Sequence, residues 1–122
     1  MVVFPSTRGT TMEQLRSLAV TIDCADARAA ATFWSQIVGG TVNDGATEEF
    51  ASLHRPGHLA LSFVQVPEPK TAKSRTHLDV SVDDLESAVQ RAVQLGATHH
   101  AGYDGWATLL DPDGNEFCLV AG

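Results

Sequence analysis

A strand-then-helix pattern occurs twice in this chain, and an internal repeat constrains a fold more tightly than composition does. In residues 75–97, RTHLDVSVDDLESAVQRAVQLGA, the apolar Leu78, Val80 and Val82 alternate with the polar His77, Asp79 and Ser81. Alternation at period two marks a strand with one face on a core. The period then changes. Leu85, Ala88, Val89, Ala92, Val93 and Leu95 recur at helical spacing behind an Asp83 or Asp84 cap, with Glu86 in the first turn and Gly96 as the stop. Residues 17–24 alternate in the same way, with Leu18, Val20 and Ile22 on one face and Ala19, Thr21 and Asp23 on the other. Asp26 then caps a helix whose stripe is Ala27, Ala30, Ala31, Phe33, Trp34 and Ile37, ended by Gly39 and Gly40. An offset of 58 residues carries Asp26 onto Asp84, Ala30 onto Ala88 and Ala19 onto His77.

The repeat continues beyond the helices. FASLHRPG from Phe50 and WATLLDPDG from Trp106 share an aromatic, an alanine, a small hydroxyl residue, a leucine and a proline-containing turn. Each precedes an apolar strand, at 59–66 and 116–120, and short strands near 41–43 and 99–102 complete the set. The chain therefore reads as an α+β fold of two tandem βαβββ modules, residues 15–66 and 75–122. Residues 67–74, with Pro67 and Pro69, connect them. One such module leaves a sheet face uncovered, so two of them, edge to edge, are expected to make one curved mixed sheet with the helices outside and a trough inside. Residues 1–14 hold only Val2, Val3 and Phe4 as an apolar patch and read as a disordered leader, with Met12 a plausible alternative start.

Fifteen acidic against eight basic side chains give a formal net charge of −7. That balance argues against nucleic acid and an anionic membrane as partners, since both want clustered lysine and arginine. Lys70, Lys73 and Arg75 are the one basic cluster, and they read as a solvated connector. Two cysteines, Cys24 and Cys118, without a signal-peptide core, read as reduced thiols of a cytoplasmic protein.

Some polar residues have bland readings. Asp111-Pro-Asp-Gly-Asn is first of all a turn. His54 and His58 flank another turn at the surface, and His99, His100 and Tyr103 fall in a loop-like stretch where solvent exposure is expected, the alternative for the histidine pair being ligand contact at the trough mouth. Trp106 shares a face with Thr108 and Leu110 and is a candidate trough wall; aromatic walls suit flat apolar ligands.

With HLDVSVDDL from His77, Gly96-Ala97 after the helix and DPDGNEFCL from Asp111, residues 17–121 resemble the vicinal oxygen chelate superfamily, and within it the glyoxalase-like subgroup. That superfamily includes glyoxalase I, extradiol dioxygenases and bleomycin-resistance proteins. The resemblance implies a glyoxalase-like fold, a homodimer and, in metal-dependent members, ligands from the first and last strand of each module. Carried over here, those positions are Ala19, Leu61, His77 and Cys118, with Ser62 or Val64 replacing Leu61 if the register slips and neither adding a His, Glu or Asp. Only two of the four offer a donor, whereas stable transition-metal sites use three or four. The expectation is therefore no metal and no cofactor. It is also a trough that binds a small molecule through Ala19, Thr21, Leu61, His77, Asp79, Trp106 and Cys118. The alternative is an enzyme of lyase, isomerase or dioxygenase type acting through His77 and Asp79 as catalytic residues. This lining lacks lysine and arginine, so a strongly anionic ligand is disfavoured and a neutral or cationic ring with a hydroxyl or amine fits better.

Overall fold

The computed structural model describes residues 17–122. The leader expected over residues 1–14 lies outside the described residues. The first module runs β1 (Ala19–Cys24), α1 (Ala27–Val38), β2 (Thr41–Val42), β3 (Phe50–His54) and β4 (Ala60–Gln65). The second repeats that order as β5 (Leu78–Val82), α2 (Leu85–Leu95), β6 (Thr98–Tyr103), β7 (Trp106–Leu110) and β8 (Glu116–Ala121). Both helix starts follow the sequence reading. Asp26 accepts from the Ala29 N–H and Asp84 from the Ser87 N–H, each satisfying a backbone donor that the first helical turn leaves free. Gly39 and Gly96 end the helices with positive φ.

The strands form two four-stranded sheets, ordered β1-β4-β3-β2 and β5-β8-β7-β6, each with one parallel pair and otherwise antiparallel ladders. The strand ladders thus stay within each module, giving two sheets in place of the one continuous sheet expected, and the two βαβββ units are the α+β architecture expected of the repeat. The helix-side faces make the core. Ala27, Ala30 and Ala31 have no bulk to hold α1 away from its sheet, so Leu53, Leu61 and Phe63 close beneath it. Phe33 and Trp34 reach further, meeting Phe117 of β8 edge-on with ring centroids 6.2 and 4.9 Å apart. That aromatic triad joins the two modules, and losing the Phe117 ring would cost about 3–5 kcal/mol.

The DPDGN segment is a turn, and it also ties the modules together. Asp113 Oδ1 accepts the Ala25 N–H at 2.9 Å, and Asn115 Nδ2 donates to the Asp23 carbonyl at 3.1 Å. Among the described residues no helix is long and apolar enough to cross a membrane.

Candidate functional site

The sheet faces turned away from the helices are the ones that alternation leaves polar. In the first module, β1 pairs with β4 so that Ala19 meets Ala60, Thr21 meets Ser62, and Val20 meets Leu61. Leu61 is 2% exposed and belongs to the helix-side core, so it does not line the trough. The repeat shows why. Thr21 and Asp79 are equivalent at the 58-residue offset, and their ladder partners are Ser62 and Cys118. Ser62 is therefore the counterpart of Cys118, one residue beyond the sequence assignment, and a one-residue slip moves a strand position to the opposite face. Ala19 and Thr21 are exposed. Thr21 shares a small groove of about 210 Å³ with His77 and Glu116, between the β1 and β5 edges.

In the second module the corresponding face forms a cup of about 660 Å³. His77, just before β5, Trp106 and Thr108 from β7, and Cys118 from β8 line it, as the sequence alternation required. Two further contributors come from β6, which runs from Thr98 to Tyr103 and so extends the short strand expected near 99–102. The β6–β7 register shifts between His99 and Ala101. One bulged residue reverses the alternation, so His100 and Tyr103, three positions apart, both reach the cup. Tyr103 then stands opposite Trp106 and stacks on it, centroids 4.0 Å apart and planes 16° from parallel. No local sequence signal marks that bulge.

The remaining wall is the connector. Lys70, Thr71, Ala72 and Lys73 border the cup, which corrects the expectation of a lining without lysine. Lys70 is held by the Glu116 carboxylate, whose other oxygen accepts the Ser74 N–H at 2.7 Å. The Lys70 hydrogen bond keeps the Glu116 carboxyl below its ordinary range.

Beside the cup, His77 Nε2 lies 3.2 Å from Asp79 Oδ1. Asp79 and Cys118 are cross-strand partners, and the three side chains present donor atoms within 4.8 Å of one another. The donor count of two behind the expected absence of metal is therefore short by one, because Asp79 adds a carboxylate on the face that His77 and Cys118 share. One nitrogen, one oxygen and one sulfur suit a zinc-class ion with an open position. Ala19 and Ser62 offer the first module no equivalent set. The Cys118 sulfur also lies 3.6 Å from the Thr108 hydroxyl. Cys24 is a different thiol. It is buried against the Val64 carbonyl, and burial, reinforced by the negative charge of Asp113 and Asp26, pushes it up to about 11.

A glyoxalase-like domain model matches residues 19–120. No curated protein matches the chain. Among solved structures, a glyoxalase/bleomycin resistance protein/dioxygenase family enzyme from Burkholderia phytofirmans PsJN is similar at 24% identity and a TM-score of 0.66, over 84% of this chain and 95% of that one. The fosfomycin resistance protein FosX from Mesorhizobium loti is 17% identical, with a TM-score of 0.68 over 92% and 94%. The bleomycin-binding protein of Streptomyces verticillus, solved with copper(II)-bleomycin, is 21% identical, with a TM-score of 0.57 over 91% and 99%. At these identities the solved structures speak for the fold, and the domain match over both modules for the family: the chain belongs to the glyoxalase-like domain family.

Proposed function

We propose that this protein binds a small, partly aromatic molecule in the cup of its second module, as a reduced-thiol cytoplasmic protein working as a homodimer. The observation that carries the reading is the stacked Tyr103–Trp106 pair beside a cavity of about 660 Å³. A cross-strand aromatic pair can simply stabilise its hairpin. Here the rings are 52% and 39% exposed and border a cavity floored by Cys118 and Thr108, which is the composition of a ligand pocket. A flat ring lies against this wall, and a hydroxyl or amine on it meets His77 and Asp79. That contact requires no metal. The lysines on the connector admit a single negative charge on the ligand. Lys70 is already matched by Glu116, and Asp79 opposes a second.

A catalytic reading has one specific observation in its favour. The His77–Asp79 contact sets a carboxylate beside the imidazole, the pairing by which a carboxylate orients a general base. The binding reading is tested by a thermal-shift screen followed by calorimetry. Aromatic alcohols and amines are expected to raise the melting temperature, with dicarboxylates inert. Trp106→Ala should abolish the effect and Asp79→Asn should weaken it. Stabilisation by dicarboxylates alone, or undiminished binding by Trp106→Ala, would overturn the reading.

A further inference from the structure

Residues 66–77 join the modules without helix or strand, and residues 67–73 are all exposed. The Val66 N–H is fixed to the Cys24 carbonyl at 2.9 Å, and the ladder of the second sheet takes over at Leu78. Across residues 67–76, the hydrogen bonds that tie this strap to the body, among the described residues, all end on Glu116. One carboxylate oxygen takes the Lys70 ammonium, and the other accepts the Ser74 N–H at 2.7 Å. The cup-lining stretch, Lys70 to Lys73, is therefore pinned at its first residue and just past its last. Little packing backs those two bonds. A second cavity, of about 550 Å³, is walled by Val66 to Lys70, so both halves of the strap border open space. The Lys70 stem passes over Gly114, where an added Cβ would stand 3.7 Å from it. Few buried contacts and a solvated backbone let a segment open without unfolding the rest. Glu116, by contrast, is the first residue of β8, held in the ladder opposite Leu110.

We propose that residues 67–76 are a door to the cup, and that the Glu116 carboxylate is its latch. One side chain makes both bonds, so its withdrawal frees both ends of the cup-lining stretch at once. Lys70 and Glu116 side chains are 23% and 10% exposed, which shelters the pair from screening by salt. Pro67 and Pro69 stiffen the first half of the strap, so the movement falls on residues 70–76. Opening uncovers the Cys118 floor and the Tyr103–Trp106 wall from the side that the strap otherwise closes. A ligand seated against that wall meets the closed strap and holds it shut. The inference rests on the reading of the cup as a binding site, and adds what controls its exchange with solvent.

Two measurements test the door on the full chain without ligand. In a Cys24→Ser background Cys118 is the remaining thiol, and its reaction with neutral 4,4′-dithiodipyridine reports access to the cup floor. Glu116→Gln should accelerate that reaction about tenfold, the weight of a charge-assisted hydrogen bond. Lys70→Ala should accelerate it less, because the Ser74 bond remains. The two substitutions change the local charge in opposite directions, so an acceleration common to both reports access and not charge. Lys73→Ala leaves the latch whole and should not change the rate. Trypsin supplies the location, because Lys73 and Arg75 lie in the strap whereas Arg28 and Arg91 lie on the helices. Both latch variants should be cut faster after Lys73 and Arg75, with Arg28 and Arg91 still protected. Labelling and cleavage at the parent's rates, or cleavage rising equally at the helix sites, would overturn the proposal. Aromatic alcohols or amines that bind should slow both reactions. If none does so while the latch variants remain fast, the door stands and the aromatic-ligand reading falls.

Discussion

Asp111 is only 4% exposed, and its carboxylate gathers the loop around it. Oδ1 accepts the Asp113 and Asn115 N–H groups at 2.9 Å, while Oδ2 accepts Trp34 Nε1 and Asn115 Nδ2 at 3.3 Å. Burial still pushes the carboxyl above its ordinary 3.8, against the pull of those bonds. With the folded value raised, protonation favours the fold, and that contribution disappears as pH rises through the folded value. At neutral pH the charge is a desolvation cost that the four donors offset. Asp111→Asn removes the charge but turns an NH₂ group towards two donors, one of them the buried Trp34 indole. An unsatisfied buried donor costs about 1–3 kcal/mol, so the variant is expected to lose stability on that order. The cost should shrink in a Trp34→Phe background, since that donor is gone. Urea denaturation of the four proteins of the cycle measures both quantities. Equal stability of Asp111→Asn and parent would refute the assignment. The turn was legible in DPDGN because proline, glycine and asparagine state their backbone preferences locally. The bond to Trp34, 77 positions away, was not.

Strand and helix limits were largely legible, because alternation, aspartate caps and terminal glycines are all local statements. Leu61 and the β6 bulge were not. Strand register is decided by the neighbouring ladder, and one residue reverses every face. The connector was legible as a boundary between modules but not as a wall. It folds over the cup because Glu116 of β8 takes Lys70 and the Ser74 N–H together. The depressed Glu116 carboxyl, held down first by the Lys70 hydrogen bond, sets the sign of an acid response. Its contribution to stability is complete above the ordinary 4.5 and drains away as pH falls through the folded value. Glu116→Gln is therefore expected to lose stability at neutral pH and to flatten the acid limb of the urea midpoint. Lys70→Ala should give a similar but smaller flattening, because the Ser74 N–H bond remains. Parallel acid limbs in parent and Glu116→Gln would rule out this clamp. Ligand affinity, measured on the same variants, should fall with the clamp, since Lys70 to Lys73 form one side of the cup.

At the scale of the whole molecule, the repeat declared two equal modules, and the structure makes them unequal. The second module's cup has a stacked aromatic wall, a three-donor cluster and a connector across one side. The first module presents Ala19, Thr21, Ser52 and Ser62 on the equivalent face, small side chains beside Phe50, which is 49% exposed. A sheet face with small residues at its centre and a large apolar one at its margin suits close approach by another surface, and its exposure costs hydrophobic free energy of about 25 cal/mol per Å². The connector is short and carries Pro67 and Pro69, which limits how far one module can swing to cover the other. A second copy meets the need, and a two-fold arrangement closes both open faces at once. The expected mass in solution is that of a homodimer at micromolar concentration. Phe50→Asp should shift it toward monomer by placing a desolvated charge in the contact, while the helix-side core, and so the fold, stays intact. Light scattering on both proteins decides the matter. A monomer mass for the parent, or a dimer indifferent to Phe50→Asp, would show that this face is left to solvent.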